Sequence, residues 1–244
     1  SNTSQGYVMV KYNGTNEKVK LRITCPDQSC YTYLISDRGA YDTFPLTAGN
    51  GSYALQVLEN VAGDTYTVSL AQSINVNIED EFLPFLYPNQ YVNFHTDSKA
   101  VSKGSDLAKD TYSDLDVVQN IYNYVIKNIS YDTEKAQNVS YGYVPDIDDT
   151  LSSKKGICFD YAALMASMLR SQNIPTKLEV GYSGDAYHAW ISTYIDDKGW
   201  VDDIIQFNGN TWQIMDPTLA ATNDSAAVKK YIGDGSHYVV KYTY

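Results

Sequence analysis

Gly156-Ile157-Cys158-Phe159-Asp160-Tyr161-Ala162 is the stretch that decides how this chain is read. A glycine closes a polar segment, and beyond Cys158 the residues Ala162, Met165, Ala166 and Leu169 fall on one face at helical spacing. The helix must stop before Asn173-Ile174-Pro175, because the residue ahead of a proline is pushed out of the helical region. Cys158 therefore stands in the first turn of a helix, where unpaired N–H groups and the helix dipole favour an anion. A thiol in that place is drawn toward its thiolate. The same N–H groups can donate to an oxyanion forming on an attacked carbonyl. Gly156, just upstream, lets substrate and backbone approach closely. The plain alternative is a small buried cysteine without chemistry.

A thiolate needs an imidazole to exchange protons with it and to protonate a leaving amine. The chain has three histidines, His95, His188 and His237. His188 stands directly before the strand-like run Ala189 to Ile195, where it would line the end of a sheet. The imidazole in turn needs an acceptor to fix its tautomer. Asp216 closes the strand-like run Trp212 to Met215 and is held by Pro217; pairing of that strand with the histidine's would set the two side by side. Asp202 and Asp203 compete for the role, and an Asp-Pro step is also an ordinary turn. His95 and His237 read as surface or packing residues. No two histidines have ligand spacing and Cys25 and Cys30 lack partners for a zinc set, so no metal or cofactor is expected.

Upstream of the cysteine, Leu115, Val118, Ile121, Tyr122, Val125 and Ile129 predict a helix begun by Ser113 or Asp114. Lys99 to Asp110 reads as loop or short helix, and residues 132–153 as a long polar surface loop with Gly142 and Pro145. Downstream come strand-like runs at Lys177 to Tyr182, Ala189 to Ile195 and Trp212 to Met215. Helices followed by strands define an α+β domain, placed at residues 96–244. Residues 1–95 differ. Short runs such as Tyr7 to Tyr12, Val19 to Ile23, Tyr31 to Ile35 and Tyr53 to Leu58, separated by Asn13-Gly14, Gly49-Asn50-Gly51 and Gly63-Asp64, predict a small all-β sandwich. Glu81 to Phe94 reads as the connector. The first module gathers no catalytic side chains and reads as structural or binding.

With 29 acidic against 18 basic residues, the formal charge of −11 repels phosphate backbones and anionic lipid. Nucleic acid is therefore excluded as a partner. No apolar run approaches the roughly 20 residues that cross a bilayer, so no membrane insertion is expected. Ser1-Asn2 opens no signal peptide, and an export signal trimmed upstream would fit the tyrosine-rich, secreted bacterial character of the β segments. Cys25 and Cys30 bracket Pro26-Asp27-Gln28-Ser29; they form either a loop-closing disulfide or two free thiols on adjacent strands. Either way Cys158 is left over.

Three blocks together resemble the transglutaminase-like superfamily: Gly156 to Ala162 with Leu169 to Pro175 and Gly181-Tyr182, then His188-Ala189-Trp190, then Trp212 through Asp216-Pro217-Thr218. The resemblance covers roughly residues 105–222. It implies a papain-like thiol fold with Cys158 as nucleophile, His188 as general base and acid, and Asp216 as orienting carboxylate. Asn128-Ile129-Ser130-Tyr131-Asp132 resembles a stretch upstream of the family's cysteine, which implies that Tyr131 assists the oxyanion. Trp190 is expected to shield the histidine–aspartate pair. The implied activity is acyl transfer from a peptide or side-chain amide through a thioester, with water as acceptor (protease or amidase) or an amine (transglutaminase). Substrates would be peptides or proteins, cell-wall peptide among them, at an extracellular or cell-surface location. The other reading is a non-catalytic cell-surface binding or interaction protein on the same scaffold.

Overall fold

The computed structural model of the chain describes residues 2–35, 39–196, 199–201, 205–207, 212–214, 218, 221 and 237–244. It divides into two compact units, Ser1–Pro84 and Phe85–Tyr244. Residues 85–95 fall within the second of these units.

The first unit holds six strands: β1 (Tyr7–Lys11), β2 (Val19–Thr24), β3 (Cys30–Ile35), β4 (Tyr41–Pro45), β5 (Gly51–Ala62) and β6 (Thr65–Val76). Strands β3-β2-β5-β6 make one antiparallel sheet, and β1 pairs with β4 in another. Period-2 alternation buries Val19, Leu21 and Ile23 of β2 on one face. Tyr33 of β3 meets Phe44 of β4 with ring centroids 4.8 Å apart, which brings the two sheets together over one core. Cys25 and Cys30 are free thiols, Cys25 buried and Cys30 exposed. The register explains it: Cys30 lies opposite Thr24, so the next residue, Cys25, points to the other face and the two sulfurs cannot meet.

The second unit begins with helices α1 (Lys99–Ala108) and α2 (Asp114–Asn128), a two-residue strand β7 (Ser130–Tyr131), then α3 (Thr133–Asn138), α4 (Ile147–Ser153), β8 (Lys155–Gly156) and α5 (Cys158–Arg170). Strands β9 (Thr176–Ser183), β10 (Ala186–Ile195), β11 (Gly199–Val201), β12 (Ile205–Phe207), β13 (Trp212–Ile214) and β14 (Tyr238–Thr243) follow. Four of them form an antiparallel sheet in the order β11-β10-β9-β14. Ser113 caps α2 by accepting from the Asp116 N–H, as its position before an apolar-periodic run requires.

Residues 132–153 are not the long loop expected. They contain α3 and α4, and the aspartates that read as loop residues are caps. Asp132 accepts from the Lys135 N–H, and Asp146 accepts from the Asp148 and Asp149 N–H groups. Asp148 also caps α1 across space, its two carboxylate oxygens accepting from the Lys99 and Ala100 N–H groups at 3.0 and 2.9 Å.

Helix α5 lies at the centre, packed on α1, α2, α4, β9 and β10. It is consequently buried all round from Asp160 to Arg170, where the pattern of apolar residues pointed to one face. At its C-terminal end the buried Arg170 guanidinium donates to three main-chain carbonyls, Thr176, Tyr87 and Tyr244, each at 2.8 Å. One side chain thus ties the start of β9, the segment ahead of α1 and the chain's last residue to the helix. Arg170→Met leaves those carbonyls without their cation and is expected to cost about 3–5 kcal/mol. Urea unfolding of parent and variant measures it.

Candidate active site

The position of the cysteine follows from the lengths of two elements. Helix α5 ends in a tight turn, with the Asn173 N–H donating to Arg170 O and the Ile174 N–H to Leu169 O, and β9 runs back along it. Thirteen helical residues rise about 18 Å from first to last. Along β9, the five steps from Thr176 to Gly181 cover about 17 Å. A strand that retraces the helix at these rises returns toward the level of Cys158 near Gly181, and His188 of β10 is the register partner of Gly181.

Cys158 is the first residue of α5 and partly exposed. His188 is 1% exposed. Its ring lies 5.9 Å from that of Trp190, two residues on along the same face, and 6.4 Å from that of Tyr238 on β14. Trp190 is 2% exposed and packs edge-on against Tyr238 at 4.9 Å. These two rings lie beside the buried imidazole. Gly181 is needed there: a Cβ on it would meet the Val239 carbonyl of β14 at 2.0 Å.

Asp216 lies outside the described residues, as do its competitors Asp202 and Asp203. Among the described residues, Trp212–Ile214 (β13) pairs with β12, and β11 pairs with β10 only at Thr193–Ile195, away from His188. Tyr131 sits in β7, parallel to β8 and in register with Gly156. The Asp132 N–H donates to Gly156 O at 2.9 Å, so the tyrosine's backbone is pinned beside the segment that leads into Cys158.

Two features were missed from sequence. Tyr187 neighbours His188 on the opposite face of β10, packs on Tyr182 with ring centroids 5.5 Å apart, and is half exposed. Burial pushes its phenol up, with smaller contributions from Tyr242, Tyr182 and Cys158. The second is Asp160, fully buried at the third position of α5. Its carboxylate accepts from the Ile157 N–H at 2.8 Å, from the Tyr143 hydroxyl at 2.5 Å and from Lys135 Nζ at 2.8 Å. Gly156 makes room for this residue: a Cβ on it would meet the Asp160 Cβ at 2.7 Å. The reach of Asp160 back to the helix start was legible as a capping spacing. Lys135, on a helix the sequence concealed, was not.

Residues 102–202 match the model of the Transglutaminase-like superfamily, and the second unit carries a domain of that kind. Among curated proteins, UPF0252 protein MJ1282 of Methanocaldococcus jannaschii is 30% identical over 118 residues, 42% of this chain and 34% of that protein. The mouse Kyphoscoliosis peptidase is 30% identical over 107 residues, 38% of this chain and 16% of its own length. The chain thus matches about a third or less of the length of these relatives. Of solved structures, the periplasmic domain of TgpA from Pseudomonas aeruginosa is similar over 92% of this chain and 90% of that one, with 14% identity and a TM-score of 0.46.

Proposed function

We propose that this chain is a thiol enzyme that transfers the acyl group of a peptide or side-chain amide, with Cys158, His188 and Asp216 as its triad. One observation supports the reading: a partly exposed cysteine opens a buried helix, and a buried histidine stands on the sheet that packs against that helix. The thiolate attacks the amide carbonyl, and the resulting oxyanion faces the free N–H groups of the helix start. Tyr131, whose backbone pairs beside Gly156, adds a donor in this reading. Collapse of the tetrahedral intermediate breaks the C–N bond. The imidazolium of His188 gives its proton to the departing amine, and a Cys158 thioester remains. Asp216 holds the imidazole in the productive tautomer. Water or an amine then attacks the thioester and regenerates the thiol, with His188 taking the proton.

Hydrolysis is the favoured outcome, in keeping with the name of the mouse relative, a peptidase. Peptide substrates outside the cell, including those of a cell wall, fit an acidic chain in which no described helix is long and apolar enough to cross a membrane. The test is incubation with casein and a fluorescent primary amine, with intact-mass analysis of the protein. Hydrolysis predicts released peptides and an acyl adduct that maps to Cys158. Fluorescent casein would assign amine transfer instead. The absence of adduct, peptides and label across substrates would leave a binding scaffold.

A further inference from the structure

A capping aspartate at the third helical position needs only the backbone N–H of the residue before the helix. Asp160 has more than that. Both of its oxygens are used, and besides the N–H of Ile157, which caps α5, two partners come from elsewhere in the chain: Lys135 from α3, and Tyr143 from the segment between α3 and α4. Lys135 Nζ also lies 4.5 Å from the centre of the Tyr143 ring, so lysine, tyrosine and carboxylate form one closed contact. The carboxylate is fully buried, and Lys135 keeps only about a quarter of its side chain exposed. An unpaired carboxylate at this place would set a buried negative charge two residues from the sulfur, where it opposes a second one.

We infer that Lys135, Asp160 and Tyr143 form a positioning clamp on the helix of Cys158, in which Lys135 neutralises the carboxylate that fixes the helix start and so leaves the thiol free to carry the negative charge. The inference rests on the reading of Cys158 as a nucleophile. The clamp also fastens α3 and the Tyr143 segment to the mouth of the site, so one buried carboxylate serves both purposes. The other groups around this end are Tyr187 and His188 on β10, Tyr131 on β7, Tyr91 ahead of α1, and Asp146 and Asp149 near the Tyr143 phenol. None of them replaces the cation on Asp160.

The test is the pH profile of iodoacetamide alkylation at Cys158, read by peptide mass mapping, for the parent, Lys135→Met, Asp160→Asn, the double variant and Tyr143→Phe. A buried unit charge this close moves a titration by roughly one pH unit at an effective dielectric near 20. Lys135→Met uncovers the carboxylate and is expected to raise the alkylation midpoint by about that much, slowing reaction about tenfold below it. Asp160→Asn leaves the lysine's charge alone and is expected to lower the midpoint. The double variant returns close to the parent. Tyr143→Phe changes no charge and leaves the midpoint in place while lowering the melting temperature. A merely structural role moves both single charge variants the same way, or neither, and either result overturns the clamp. Should Lys135→Met fail to fold, the double variant against Asp160→Asn gives the same comparison, with the midpoint higher in the double. An ordinary midpoint in the parent, with the opposed shifts intact, would count against the proposed enzyme and not against the clamp.

Discussion

Cys158→Ala is expected to abolish peptide release and acyl-adduct formation, with a fall in turnover on the order of 10^6-fold. The size of the effect follows from what the residue supplies. Without the sulfur there is no thioester, and water must attack the amide directly, with only the helix N–H groups and substrate binding left to help. Folding should be unaffected. The site is partly exposed, and the substitution removes one atom from a residue at a helix start. Unchanged melting temperature together with lost turnover separates chemistry from structure. A variant that keeps a tenth of the parent's rate would move the nucleophile elsewhere, and neither the buried Cys25 nor the exposed Cys30 sits in the unit that carries His188.

His188→Ala is expected to have an effect of similar size, and the two losses should not multiply. Residues that act as one unit share a single rate enhancement, so removing the second after the first costs little more. Turnover of the double variant should therefore match that of either single variant within about tenfold. If Asp216 holds the imidazole's tautomer, Asp216→Asn costs less, on the order of 10^4-fold. Because His188 is buried between Trp190 and Tyr238, the alanine leaves a cavity, and some stability is lost with the rate. His188→Gln keeps most of the volume and should recover the stability without the activity.

The elements around the cysteine were legible because local chemistry sets them. Pro175 stops α5, Ser113 starts α2, and apolar periodicity marks both. What depends on space and not on sequence was lost. An apolar stripe showed one buried face of α5, whereas helices and strands close on it from all sides. Helices α3 and α4 are six and seven residues long, too short for their periodicity to rise above a polar composition, so their capping aspartates looked like a loop. The side-by-side placing of Asp216 and His188 expected from the sequence falls on residues outside the described ones. Nothing in the spacing of Lys135, Tyr143 and Asp160 announces that they meet. Only the placement of α3 beside the start of α5 brings them together.

The reactivity of one sulfur tests the pairing of Cys158 with His188 most directly. Iodoacetamide is offered across pH 5 to about 9.5, a range that spans an ordinary thiol midpoint near 8.5, and modification is followed at Cys158 alone by mass mapping. In the parent, reaction should already be fast well below pH 8, and His188→Ala should return the midpoint to the ordinary range. Superimposable profiles for the two proteins would mean that the imidazole does not govern the sulfur, and the acyl-transfer account would fall.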